Sequence, residues 1–219
     1  MIHFLEMDII SNFAVFEGGD GAGTTTQLKI LTERLKAYSN IRFLPTFEPT
    51  DGKIGRIIRQ ALKKEIIIKP QTLSMLFAAD RNEHLNGPEG ILEHLAKGYL
   101  VVSDRYVLSS LVYQGIECGD ELPAALNSGY GIPELTLFFD IDPQISLNRM
   151  KGRSSREIYD YREFQDKVRE KYKSILEKYR HSGARVEIID ASKTTREVAD
   201  QVWSKFPEMP IFKHCEINN

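Results

Sequence analysis

Two cysteines, Cys118 and Cys215, are all that the 219 residues contain, and no C-x-x-C pair or Cys/His spacing accompanies them. That excludes a disulfide framework and a structural zinc site, and both thiols are expected to stay reduced. No apolar run approaches the ~18 residues of a membrane span. The opening MIHFLEMDII places acids where a signal peptide carries a basic end, so a cytoplasmic protein with no membrane partner is expected. A basic excess is missing too: 29 Lys+Arg against 31 Asp+Glu leave a net charge of −2. No nucleic-acid partner is therefore expected, and any anionic ligand must be met by a local group of cations. Low-complexity stretches, internal repeats and linkers are absent, which leaves a single domain over 1–219. What remains, 42% hydrophobic and 27% charged residues, is the composition of a globular enzyme.

Five short apolar, β-favouring runs recur along the chain: NFAVFE, IRFLPT, YLVVSD, LTLFFDI and RVEIID. Helical patterns separate them. Leu28, Leu31 and Leu35 share one helical face, and Phe164, Val168, Tyr172, Ile175 and Tyr179 mark one side of a long amphipathic helix. Alternating strands and helices predict an α/β fold, a three-layer arrangement with a five-stranded parallel sheet flanked by helices. Ligands of such folds sit at the carboxyl ends of the strands. There the sequence has a glycine loop, then TFEPTDG, SDRY, DIDP and DAS. The segment 207–219, with two prolines and no period, is expected to be a loose tail.

One further absence is chemical. EGGDGAGTTTQ, residues 17–27, follows a strand and opens a helix, the setting of the phosphate-binding loop G-x-x-x-x-G-K-S/T. Gly18 and Gly23 take the glycine places and Thr25 the Mg²⁺-ligating hydroxyl place, while Thr24 stands where the lysine belongs. Gly18, Gly19, Asp20, Gly21, Ala22, Gly23, Thr24, Thr25 and Thr26 are the candidate ATP-binding residues of a P-loop NTPase fold.

The loop resembles that of the thymidylate kinases, F-E-G-x-D-G-x-G-K-S/T-T-Q, at Phe16, Glu17, Gly18, Asp20, Gly21, Gly23, Thr25, Thr26 and Gln27. LFAADRNEHL (76–85), SDRYVLSSLVYQG (103–115), PELTLFFDIDPQISLNR (133–149) and IIDAS (188–192) are similar to further motifs of that family in the same order. The resemblance implies transfer of the γ-phosphoryl of ATP to dTMP with Mg²⁺, and a homodimer packed through helices. It implies that Arg105 holds the acceptor phosphate, that Asp104 with Thr25 serves the metal, and that Asp20 and Arg105 belong to the catalytic set. Phe77 and Arg81, at i and i+4, would stack on the base and meet its carbonyl. Ser110 and Gln114 would lie near the thymine edge, Tyr113 against the deoxyribose, and Glu48 near the acceptor phosphate or metal.

Taken alone, the same residues have plainer readings. Asp104 and Arg105 can pair with each other, Phe77 and Tyr113 can be core residues, and a basic run is often a solvated face. In RMKGRSSR, Arg149, Arg153 and Arg156 are spaced to point one way, in the family's lid region at about 149–160. With Ala22 and Thr24 leaving the loop without a cation, Arg153 and Arg156 are expected to supply the lysine's charge. A second cation is missing beside Glu48 and Pro49, where Phe47 replaces the family's arginine, and Lys53 and Arg56 are the nearest substitutes. Three functions stay open: a dTMP kinase, a kinase for a different nucleoside or nucleotide, and a nucleotide-binding protein with weakened catalysis.

Overall fold

A computed structural model describes residues 8–151, 158–159, 161–181 and 183–213. The five expected runs are five strands: β1 (Ile9–Gly18), β2 (Phe43–Phe47), β3 (Leu100–Asp104), β4 (Ile132–Asp140) and β5 (Arg185–Asp190). They form one sheet in the order β2-β3-β1-β4-β5, parallel throughout. β1 starts earlier than its apolar run suggests, because Ile9 and Ile10 pair with Ile132 and Pro133 of β4. Being central, β1 is buried on both faces. Phe13 and Val15 enter one hydrophobic cluster while Ala14 and Phe16 enter another, as the two-residue period of a strand dictates.

Each cluster is closed by helices, which gives the three layers. On one side α1 (Thr24–Leu35) buries Leu28, Leu31 and Leu35, joined by Val198 and Val202 of α9 (Thr195–Lys205). On the other lie α2 (Lys53–Leu62), α3 (Pro70–Asn86), α5 (Val107–Cys118) and α8 (Arg162–Arg180). Along α8, Phe164, Val168, Tyr172, Leu176 and Tyr179 are buried, the expected face with Leu176 replacing the half-buried Ile175. α5 is buried along Val107–Gly115, wedged between the sheet and α3 and α8, so its polar side chains need partners inside the protein. Three short helices, α4 (Ile91–Ala96), α6 (Glu121–Asn127) and α7 (Pro143–Met150), complete the connections.

The expected loose tail is corrected over its described half. Met209 is buried, and Ile211 and Phe212 pack on the α1/α9 cluster, Phe212 against Tyr38 and Trp203. Aromatic burial holds this short segment where no period announces it. Arg153 and Arg156, expected to belong to a lid, lie outside the described residues.

Candidate active site

β1 ends in Gly18 and the chain turns through two left-handed glycines, Gly21 (φ 77°) and Gly23 (φ 95°), into α1. A side chain at Gly21 would be strained and would also approach the Ser146 carbonyl to 2.8 Å. Gly23 is the N-cap and offers no side-chain acceptor, so the first N–H groups of α1 lack helical partners and are free for an anion. A cavity of about 380 Å³ opens over this loop, lined by Gly19, Asp20, Gly21, Gly23 and Thr24–Thr26. Gly18 and Ala22 support the turn from beneath. The cations facing this space among the described residues are Arg105 and Arg149.

Thr25 and Asp104 are brought together: the Thr25 hydroxyl donates to Asp104 Oδ2 at 2.5 Å. Asp104 Oδ1 is buried with no hydrogen-bond partner among the described residues. A hydroxyl and a carboxylate with a spare oxygen suit Mg²⁺, which takes one or two protein oxygens and completes its shell with water and phosphate.

A second cavity, about 340 Å³, lies beyond the same wall and has Phe77, Arg81, Ser110, Tyr113 and Gln114 in its lining. Asp20, Thr25, Asp104 and Arg105 border both spaces. Arg105 does not pair with its neighbour Asp104. Its Nη2 donates to Asp20 Oδ1 at 2.7 Å and its Nη1 to the Gly18 carbonyl and Ser109 Oγ, which puts the guanidinium under the loop and over the Tyr113 ring. Burial drives the Tyr113 hydroxyl far above its usual range, so it stays protonated.

Arg81 lines this cavity and is held there by a buried acid. Only 1% exposed, it donates from Nε and Nη2 to Glu48 Oε2 at 3.0 and 2.7 Å, and also to Asn127, the Tyr106 carbonyl and Ser110. His84 faces the other Glu48 oxygen at 3.2 Å. Glu48 and Ser110 are thus partners of Arg81; the Glu48 carboxylate bonds to Arg81 and His84, while its backbone N–H donates to the Asp104 carbonyl at 3.0 Å. Phe77 is half-buried with its ring on the cavity, so neither a pure core residue nor a surface one.

The proposed substitutes for the missing arginine beside Glu48 are corrected: Lys53 and Arg56 are exposed and do not line the cavity. Arg59 does, three residues beyond Arg56, with Nη1 on the Pro49 carbonyl (2.7 Å) and Nη2 on Thr50 O (2.5 Å). Its place, one turn beyond Gly55 on α2, is legible only once α2 is known to fold back over the loop it follows. Gln165 also escaped the sequence reading. Buried at the start of α8, it accepts from the Asp20 N–H (3.1 Å) and donates to Asp20 Oδ2 (2.9 Å), so the loop carboxylate is clamped from α8. The last two strand ends are not chemical. Asp140 pairs with Arg169, Asp142 caps α7, and the carbonyls of Ala191, Ser192 and Lys193 hold Arg149.

The family model described as thymidylate kinase matches residues 16–202. Similar proteins include one named "Putative thymidylate kinase" from Treponema pallidum, 43% identical over 84% of this chain and 88% of its own length. Another, a "Probable thymidylate kinase" from Methanococcus maripaludis, is 41% identical over 88% of this chain and 94% of its own. A third of the same name, from Methanocaldococcus jannaschii, is 32% identical over 90% and 97%.

Proposed function

The chain belongs to the thymidylate kinase family, and from that membership we infer that its cleft is an ATP-dependent dTMP kinase, moving the γ-phosphoryl of ATP onto the phosphate of dTMP to give dTDP. The observation that carries this reading is the shared wall: a phosphate-loop cavity and an apolar, aromatic-sided cavity meet at Asp20, Thr25, Asp104 and Arg105. In-line transfer needs two anionic groups end to end, with donors around both and little covalent chemistry from the protein. Loop N–H groups meet the ATP phosphates. Arg105, with its charge at the seam, orients the acceptor phosphate oxygen that bonds to phosphorus as the bond to ADP breaks. Asp20 and Gln165 keep Arg105 in that pose. Thr25 and Asp104 would hold Mg²⁺, which when bound neutralises phosphate charge. Phe77 supplies a face for the base, and Arg81, packed beneath it, closes the pocket with Ser110 and Gln114; Tyr113 narrows the space beside the sugar.

The finer assignments are part of the same proposal: a single domain, a lid at 149–160 whose Arg153 and Arg156 close on the triphosphate, a cytoplasmic setting, and a homodimer. Exposed Ile57 on α2 and Met75 on α3, two helices in mutual contact, support helix-to-helix association. A coupled assay with ATP, Mg²⁺ and each deoxynucleoside monophosphate tests the function. dTMP should be turned over fastest; thermal stabilisation by ATP and dTMP without dTDP would leave only a binding protein.

A further inference from the structure

α5 carries the acceptor-side residues, yet its N-cap, Tyr106, has no side-chain acceptor for the helix's first N–H groups. Glu17 supplies one from β1. Its Oε1 accepts from the N–H of Tyr106 (3.0 Å) and Ser109 (3.3 Å). Its Oε2 accepts from Ser109 Oγ (2.6 Å) and the Tyr172 hydroxyl (2.9 Å) of α8. Ser109 Oγ, its proton given to Glu17, accepts in turn from Arg105 Nη1 at 3.1 Å. Glu17 is fully buried and makes no ion pair among the described residues. A neutral acceptor would cap the helix without the cost of a buried charge, so the charge needs another use.

We propose that Glu17 is a positioning residue for phosphoryl transfer: it ties the phosphate loop, α5 and α8 together and, through Ser109, holds the Arg105 guanidinium at the seam between the two cavities. The inference rests on the dTMP kinase reading of that seam. With Glu17 ionised, Ser109 and Tyr172 both point their protons at it, and the Ser109 lone pairs face Arg105. With Glu17 protonated, its own proton must be donated to one of those oxygens, and the negative charge behind Arg105 is lost.

The charged and titratable groups that act on Glu17 are Arg105 from the β3–α5 turn and Tyr172 and Tyr179 on α8; Tyr113 on α5, Asp20 in the loop and Asp104 at the end of β3 act in turn on Arg105. Burial holds the three tyrosines neutral. Burial also pushes the Glu17 carboxyl up to about 7, against the lowering pull of Ser109, Arg105 and Tyr172. The relay therefore has a switching point near neutrality.

Glu17→Gln tests this, because the amide keeps an Oε1 acceptor for the α5 cap and replaces Oε2 by a donor. Expected are a loss of at least about tenfold in kcat/KM for dTMP at pH 8, ATP affinity unchanged within about twofold, and an acid limb smaller than the wild type's. Acceptor phosphate titration, with its second pKa near 6, is common to both proteins, so the difference between their profiles is the readout. Ser109→Ala, which cuts the relay but leaves the carboxylate, should reduce kcat/KM for dTMP in the same direction. If Glu17→Gln melts earlier but its rate and pH profile overlay the wild type's, Glu17 is structural and the inference is overturned. A wild type that turns over no dTMP overturns the reading of the cleft and this inference with it.

Discussion

Replacing Arg81 by alanine should first of all unfold the protein more easily. The guanidinium is buried and makes two hydrogen bonds to Glu48, itself 6% exposed. Its removal leaves Glu48 with His84 alone and strips donors from Asn127, Ser110 and the Tyr106 carbonyl. Breaking a buried pair by deleting one partner costs about 3–5 kcal/mol, chiefly through the charge left behind. For a chain of this size each kcal/mol lowers Tm by about 2–4 °C, so Arg81→Ala should melt about 6–20 °C below the wild type. Adding Glu48→Gln removes the stranded charge and should restore a substantial part of that loss, although neither change creates a new favourable contact.

Calorimetric melting of the four proteins in this cycle, with dTMP and ATP affinities measured well below the lowest Tm, separates stability from recognition. dTMP binding should weaken more than ATP binding in Arg81→Ala, because the floor of the base pocket is gone while the phosphate loop is untouched. A single mutant within about 2 °C of the wild type, or a double mutant no more stable than Arg81→Ala, would refute the assignment of Arg81 and Glu48 as a buried, mutually dependent pair.

Four further outcomes are expected. Arg153→Ala or Arg156→Ala should lower turnover at least about tenfold, roughly 1.4 kcal/mol on the barrier, with ATP affinity changed much less, and Thr24→Lys should partly rescue them; lid mutants that turn over like the wild type would show the lysine's charge to lie elsewhere. Asp104→Asn should raise the Mg²⁺ concentration for half-maximal rate several-fold, read from a magnesium titration, and an unchanged titration would remove Asp104 from the metal site. Gln165→Leu should cut kcat for dTMP by freeing Asp20 and Arg105, with the fold intact by circular dichroism. Stability should also report Glu17. Its carboxyl titrates near 7 when folded against 4.5 when not, so the folded state keeps a proton that the unfolded state has released. The resulting stabilisation is full below about pH 4.5 and gone above about pH 7, a change of about 3 kcal/mol. Denaturant melts at pH 5 and pH 8 should show it in the wild type and not in Glu17→Gln.

Strand positions, the parallel sheet and the loop–helix junction were legible because each rests on a local period or on glycine chemistry that tolerates few other folds. The meeting of Thr25 with Asp104 has a related basis, since Asp104 ends β3 and Thr25 opens the helix that follows its neighbour β1. Partners set by long-range packing were not legible. Nothing local in NEHLN or EFQDK says that His84 will face Glu48 or that Gln165 will reach back 145 positions to Asp20. The i, i+4 spacing of Phe77 and Arg81 puts both on the same cavity, but spacing says nothing about the buried acid opposite Arg81. The tail was misread for the converse reason: three aromatic contacts are enough to dock a segment too short to have a period.

The missing lysine can now be set against the charges that border the phosphate loop. Arg105 is committed to the seam, where Asp20 pairs with it and the Gly18 carbonyl and Ser109 take donors on that side. Arg149 is placed differently. Its guanidinium is oriented by the carbonyls of Ala191, Ser192 and Lys193, and no carboxylate pairs with it among the described residues. Carbonyl dipoles fix its direction without cancelling its charge, so Arg149 brings a whole positive charge to the rim of the loop cavity. It is also the first of the three arginines in RMKGRSSR. A lysine in the loop would add its charge from beneath the phosphates; here the unneutralised charge stands at the end of α7, where the segment carrying Arg153 and Arg156 begins. The loop itself then offers N–H groups and the Thr25 hydroxyl, with Thr24, at the first position of α1, among the residues lining the same cavity.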